Sequence, residues 1–272
     1  MRRAPATAKL NLALVVGPCR EDGNHEVTTV LQRLDLADRL TVEPARALRV
    51  EGFPEDTLVR RALEALAEAA GREPRWEARI WKRIPAAAGL GGGSSDAATA
   101  MGLANETLPE PLPPDALRDL AAGLGADVPF FLTAGPQLGE GAGADLSPLD
   151  LPQDYWVLLV LPHGERKQST AAVYDAFDRR GGAEGYPDRR TKLQEGLAAA
   201  ERPRDLATLP LNDLATSPLA DELRELGAFR ADVSGAGPTV YGLFHHRRHA
   251  LAAERRVQAR GRTWITVPTW YG

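Results

Sequence analysis

Residues 82–99, KRIPAAAGLGGGSSDAAT, place a glycine-rich run between a segment of strand character and one of helical character. Upstream, RWEARIWKRIP alternates so that Trp76, Ala78 and Ile80 share a face, the period of a half-buried strand. Downstream, Ser94 to Asn105 is rich in small residues and reads as a helix with Ser94 as its N-cap. A linker would have more polar, low-complexity flanks. Glycines tolerate positive φ and admit another molecule close to the main chain. The first N–H groups of a helix lack internal partners and form an anion site. The run therefore reads as a loop shaped for an anion, phosphate being the usual occupant; by itself it also fits a tight turn that holds nothing. Two known phosphate patterns fail. No lysine follows Gly93, as a P-loop requires. Gly89 and Gly91 begin G-x-G-x-x-G, but Ser94 stands where the third glycine belongs.

The chain around this loop has 272 residues, enough for one large domain or two modest ones sharing a cleft. A formal net charge of −4 gives no basic field for nucleic acid. Cys19 is the only cysteine, which rules out an intrachain disulfide and suits a reducing, cytoplasmic setting. No apolar run reaches the length of a membrane helix. The opening MRRAPATAKLNLALVVG has the outline of a signal peptide, but Lys9 and Asn11 interrupt its apolar core. Residues 6–16 read better as a strand, with Lys9 and Asn11 on one face and Leu10, Leu12 and Leu14 on the other, towards a core.

Farther along, 57–71 has helical spacing, and 115–124 reads as a short helix capped by Asp115. The Pro-, Asp- and Gly-rich stretch 136–153 marks the preferred boundary, dividing the chain into 1–153 and 154–272. Beyond it come a buried strand at 154–162, helices near 170–180, 189–201 and 219–227, the strand TVYGLF and an Arg-rich helix at 246–260 that reads as a solvated face. Strands and helices mix throughout, which predicts an α+β or α/β protein.

PAAAGLGGGSSDAA is very similar to the second motif of the GHMP kinase superfamily, and three further segments agree in order. PATAKLNLALVV resembles the first motif, GADVPFF the segment of the catalytic aspartate, and SGAGPTVYGLF the glycine-rich third motif. EDGNHEVTTVLQRLDLADRL resembles the substrate loop. Within the superfamily, the three glycines before SSDAA most resemble the branch whose acceptor is 4-diphosphocytidyl-2-C-methyl-D-erythritol. The resemblance implies an α+β fold of two halves, the first like ribosomal protein S5 and the second ferredoxin-like, with the site between them. It implies an ATP-dependent kinase of isoprenoid precursor synthesis that uses Mg²⁺, acts on a small molecule and phosphorylates the acceptor's 2-hydroxyl.

Residue by residue, the resemblance gives catalytic roles to Lys9 and Asp127. ATP binding falls to Pro85, Ala86, Ala87, Ala88, Gly89, Leu90, Gly91, Gly92, Gly93, Ser94 and Ser95, with Ser95 also at a metal-associated position. Acceptor contacts fall to Asn11, His25, Lys82, Thr170 and Tyr174, and a phosphate-side turn to Ser234, Gly235, Ala236 and Gly237. Read as residues alone, Lys9 also fits a solvent-facing edge lysine and Asp127 a turn aspartate between Gly125 and Pro129. His25 fits a loop histidine, Tyr174 a core tyrosine and Lys82 a surface-strand lysine. As a buried acid in an apolar segment, Asp127 needs a partner, and the resemblance pairs it with Lys9. Two features depart from the branch. Asn24 stands where an aromatic residue would stack on cytosine, and 162–170 is longer than the pattern. A different alcohol acceptor of the homoserine, mevalonate or sugar type, and a nucleotide-binding module without transfer activity, are the competing readings.

Overall fold

The computed structural model describes residues 1–53, 57–164 and 169–269. The extra length within 162–170 lies partly outside them. Two long strands, β1 (Arg2–Cys19) and β2 (His25–Pro44), run antiparallel from the start of the chain. The short strand β3 (Arg49–Glu51), helix α1 (Thr57–Ala69) and strand β4 (Trp76–Trp81) follow. Next come α2 (Gly92–Asn105) and α3 (Pro114–Leu124), then the hairpin β5 (Gln137–Glu140) and β6 (Asp145–Pro148). These strands make a six-stranded sheet in the order β3-β4-β2-β5-β6, with β1 also paired to β2. Helices α1, α2 and α3 cover one face of it, with Leu63, Leu66, Trp76, Met101 and Phe130 in their shared core.

The second half starts with β7 (Trp156–Pro162). Helices α4 (Thr170–Arg179), α5 (Tyr186–Ala198) and α6 (Pro218–Glu225) precede strands β8 (Arg230–Val233) and β9 (Val240–Phe244). Helix α7 (Arg247–Val257) and strand β10 (Gly261–Thr266) complete it. The second sheet is four-stranded and antiparallel, in the order β10-β7-β9-β8. Its inner face joins β1: Leu10, Leu12, Ala13 and Val15 share one core with Leu159, Tyr241 and Leu243. Fully burying each of these leucines contributes about 1.5–3 kcal/mol, so β1 serves as the wall common to both sheets.

Several expectations change. The segment read as a substrate loop is mostly β2; only residues 20–24 form a turn. Its β-branched run Val27-Thr28-Thr29-Val30 suits a pleated, buried strand. The Pro/Asp/Gly-rich stretch at 136–153 contains the β5–β6 hairpin, which pairs with β2 through Thr29, Val30 and Leu31. Helix α3 is capped by Pro113 with Pro114 at its first position, so Asp115 lies in the first turn and is not the cap; proline suits N1, where its missing N–H is not needed. The strand parity predicted for β1 fails at Leu14. A register shift between Asn11 and Ala13 inserts one residue, and such a bulge reverses which face the following side chains take. Leu10 and Leu12 face the shared core as expected, while Leu14 turns with Val16 to the other side and lines the cleft.

Candidate active site

A cleft of about 580 Å³ lies between the halves. Its floor is β1 and its largest wall is the loop from Pro85 to Gly91 with the first turn of α2. Helix α2 begins at Gly92, two residues earlier than predicted, and its N-cap is Gly91 at φ 69° with no side-chain cap. Ser94 is therefore inside the helix and does not cap it. A glycine that reaches the left-handed region starts the helix in place of a serine hydroxyl, because that conformation is strained for residues with a Cβ. The N–H of Ser95 bonds the Gly91 carbonyl at 2.9 Å. This leaves the N–H groups of Gly92, Gly93 and Ser94 as the donors without a helical partner, and all three residues line the cleft. Unpartnered donors at a helix N-terminus beside a cleft are the arrangement that suits an anion, as expected from the loop.

The loop is anchored on both sides. Lys9 N–H donates to the Leu90 carbonyl at 2.9 Å, tying it to β1. Ser234 Oγ donates to the Gly89 carbonyl at 3.0 Å and Thr239 N–H to the Ala88 carbonyl at 3.3 Å, tying it to the 234–238 turn. Close packing explains two glycines. A Cβ on Gly89 would lie 2.5 Å from the Ser234 carbonyl oxygen, and one on Gly91 2.8 Å from Lys9 Cγ.

The predicted catalytic couple is assembled. Lys9 Nζ is 3.4 Å from Asp127 Oδ2 and donates to Asn11 Oδ1 at 2.6 Å. The amide of Asn11 is oriented in turn, since Nδ2 donates to Thr29 Oγ1 at 2.8 Å and that hydroxyl donates to the Ala13 carbonyl at 2.8 Å. Thr29 was not foreseen, because β2 had been read as a loop. Lys9 is buried, whereas the Asp127 side chain is 42% exposed. Asp127 is thus not the buried acid expected; it opens into the cleft, where a ligand can reach its carboxylate. Gly235 closes the group from the second half: a Cβ there would stand 3.2 Å from Asn11 Oδ1 and 3.7 Å from Lys9 Nζ. Asn212 holds this turn by donating from Nδ2 to the carbonyls of Val233 and Gly235. Gly235 and Ala236 line the cleft, while Ser234 is buried and clamps the loop.

The other predicted residues divide. Thr170 and Tyr174 line the cleft from α4. Burial, aided by the Asp127 charge, pushes the Tyr174 phenol up to about 12. His25 is not part of the cleft wall. Its Nε2 lies 2.8 Å from Asp178 Oδ1, and its ring stacks on Tyr174 with centroids 4.6 Å apart. One face of Tyr174 is thus covered by His25. Asn24 is exposed, with its N–H bonded to Asp22 Oδ1 at 2.9 Å. Lys82 lines the cleft, but its ammonium is held by Asp38 and Asp96. Ser95 is 1% exposed, lies behind the cleft wall, and its Oγ has no hydrogen-bond partner. Among the described residues no cluster of three or more His, Cys, Asp or Glu side chains could hold a metal ion.

A glycine cradle at a helix N-terminus, a lysine–aspartate couple and a second glycine turn closing on both define a small-molecule kinase of the GHMP type. Matches to the GHMP kinases N terminal domain over residues 57–135 and to the GHMP kinases C terminal domain over 214–263 agree with it. A relative from Geobacter sulfurreducens named 4-diphosphocytidyl-2-C-methyl-D-erythritol kinase is 36% identical, with 96% of each chain covered. One of the same name from Nocardia farcinica is 41% identical over 95% of this chain and 89% of its own. A solved 4-(cytidine 5'-diphospho)-2C-methyl-D-erythritol kinase superposes with a TM-score of 0.80 at 33% identity, covering 98% of this chain and 100% of that one. The chain belongs to the 4-diphosphocytidyl-2-C-methyl-D-erythritol kinase family of GHMP kinases.

Proposed function

We infer that the protein transfers the γ-phosphoryl group of ATP to the 2-hydroxyl of 4-diphosphocytidyl-2-C-methyl-D-erythritol, giving the 2-phosphate and ADP. The observation that carries this reading is the Lys9–Asp127 pair, 3.4 Å apart, in the same cleft as the free N–H groups of the α2 terminus. The triphosphate lies along residues 85–95, its charge met by those donors. The acceptor hydroxyl lies at Asp127, which orients it and takes its proton as the new P–O bond forms and ADP leaves. Lys9 keeps that carboxylate ionised and steadies the developing alkoxide. Phosphoryl transfer depends mainly on alignment and on positive charge at the transferring group, and the fixed chain Thr29–Asn11–Lys9 supplies the alignment. Mg²⁺ would offset phosphate charge on the nucleotide, held mainly by ATP oxygens; the hydroxyl of Ser95 has no partner but lies behind the cleft wall, so from its present position it would not reach a metal on the triphosphate. Tyr174 and Thr170 form the acceptor end of the cleft. We place the division between the halves at 153/154 and the protein in the cytoplasm, in keeping with its one free, exposed cysteine.

One observation favours a second reading, a kinase for another alcohol. Asn24 provides no aromatic face for a cytosine ring, and the Nε2 of His25 is already engaged by Asp178 while its ring stacks on Tyr174. Measuring ADP release from Mg-ATP with the diphosphocytidyl alcohol, mevalonate, homoserine and galactose in parallel separates the two. Turnover confined to the first supports the inference. Turnover with another acceptor moves the assignment to the second reading, and nucleotide binding without turnover overturns both.

A further inference from the structure

The ammonium of Lys82 sits between two carboxylates that are both shut off from solvent. Asp38 Oδ2 on β2 is 2.5 Å from Lys82 Nζ, and Asp96 Oδ2 on α2 is 2.7 Å from it. Both acid side chains are 0% exposed. The other oxygen of Asp38 accepts the backbone N–H groups of Arg83, at 2.5 Å, and Ile84, at 2.9 Å. One carboxylate thus fixes three consecutive residues at the entrance to the glycine loop, and the lysine carries the tie across to α2 at its exit. The segment between has little regular structure of its own, with left-handed backbone at Ala87, Gly89 and Gly91. Its shape must come from its anchors, and the Asp38–Lys82–Asp96 contact closes its base. Burial pulls the Lys82 pKa down, but Asp96 and Asp38 more than reverse this, leaving it raised. The lysine stays cationic, with its charge committed to the protein.

We propose that Asp38 is a positioning residue for nucleotide binding: through Lys82 and Asp96 it staples the two ends of the 85–91 loop at the separation that lets the N–H groups of α2 meet the triphosphate. The proposal rests on the ATP-dependent reading above but not on the identity of the acceptor, so its test omits the acceptor.

Asp38→Asn keeps the shape and the oxygen that receives the Arg83 and Ile84 N–H groups, but turns the acceptor facing Lys82 Nζ into an uncharged N–H donor, so the contact to the ammonium is lost. Asp96→Asn does the same from the other end and replaces it if Asp38→Asn fails to fold. Calorimetric titration with Mg-ATP and amide hydrogen exchange over residues 85–95 are the readouts. Either variant should raise the ATP Kd about tenfold or more, a loss of ~1.4 kcal/mol, and speed exchange in the loop. Lys82→Met alone leaves two buried carboxylates facing each other and should bind worse still; adding Asp38→Asn to it should recover part of the affinity and of the slow exchange at residues 85–95, while exchange in the second sheet, which a general loss of stability would also speed, stays native in all variants. Native affinity with native exchange in the Asp38→Asn protein, or no recovery in the double variant, overturns the staple and leaves the kinase reading intact. An unaltered protein that binds no ATP overturns that reading and the staple with it.

Discussion

Gly89 and Gly93 belong to one motif, yet a methyl group should act on them in opposite ways. Gly89 has φ +78°, and an added Cβ would lie 2.5 Å from the Ser234 carbonyl oxygen and 2.9 Å from that of Gly237. Both neighbours are backbone and cannot rotate away. Loop and turn would have to part by roughly 0.5–1 Å to reach van der Waals distance, stretching the Ser234–Gly89 and Thr239–Ala88 hydrogen bonds. The left-handed backbone costs about 1–2 kcal/mol for alanine, and overpacking about 1–3 kcal/mol. Gly89→Ala should therefore lose ~2–5 kcal/mol, lowering Tm by on the order of 5–15 °C for a chain of this size. Gly93 has no left-handed φ, and a Cβ there meets nothing within 4 Å. Inside α2, Gly93→Ala should gain about 0.5–1 kcal/mol. It would also set a methyl group in the cleft wall where phosphate approaches the backbone, weakening ATP binding by about tenfold, or ~1.4 kcal/mol. Differential scanning calorimetry of both variants, with ATP titration of each, reads the contrast. A Gly89→Ala protein that melts with the native one, or a Gly93→Ala protein that is the less stable of the two, would refute the reasoning.

Three further outcomes are expected. Asp127→Asn should lower kcat by about 10²–10⁴ with ATP KM nearly unchanged, and a large rise in ATP KM in steady-state kinetics would show the aspartate to be misassigned. Asn24→Tyr should tighten the acceptor by roughly ten- to a hundredfold if cytosine lies there; an unchanged KM would put the base elsewhere. Tyr174, raised to about 12 by burial and then by Asp127, should ionise lower in the Asp127→Asn protein, seen as a shift in the ultraviolet titration difference against Tyr174→Phe. Because its folded pKa lies above the unfolded value of about 10, its contribution to stability is intact below pH 10 and fades as pH rises towards 12.

Local pattern made much of the site legible. The glycine run between strand and helix implied an anion loop, and the two-residue spacing of Lys9 and Asn11 put both on one face of a strand. What failed did so where chemistry depends on partners distant in sequence. The bulge after Asn11 could not be read from β1 alone, because an inserted residue is defined only against the strand it faces. Calling residues 21–40 a loop concealed β2, and with it Thr29 and Asp38, although the β-branched run at Val27–Val30 was a signal for a strand. Lys82 looked like a ligand contact because its two carboxylates lie at positions 38 and 96, on separate elements. His25, which the resemblance gives to the acceptor, is held by Asp178 and stacked on Tyr174 from α4, partners that no local pattern around it could reveal.

By itself, then, the amino-acid order determined which backbone segments could cradle phosphate and that Lys9 and Asn11 share one face of a strand, since glycine placement and residue alternation act over a few neighbouring residues. Tertiary structure alone decided which charges are free to act. Asp127 and Lys82 both line the cleft, but the Asp127 carboxylate is exposed there while the Lys82 ammonium is held by Asp38 and Asp96, because desolvation and pairing depend on what the rest of the chain packs around each side chain.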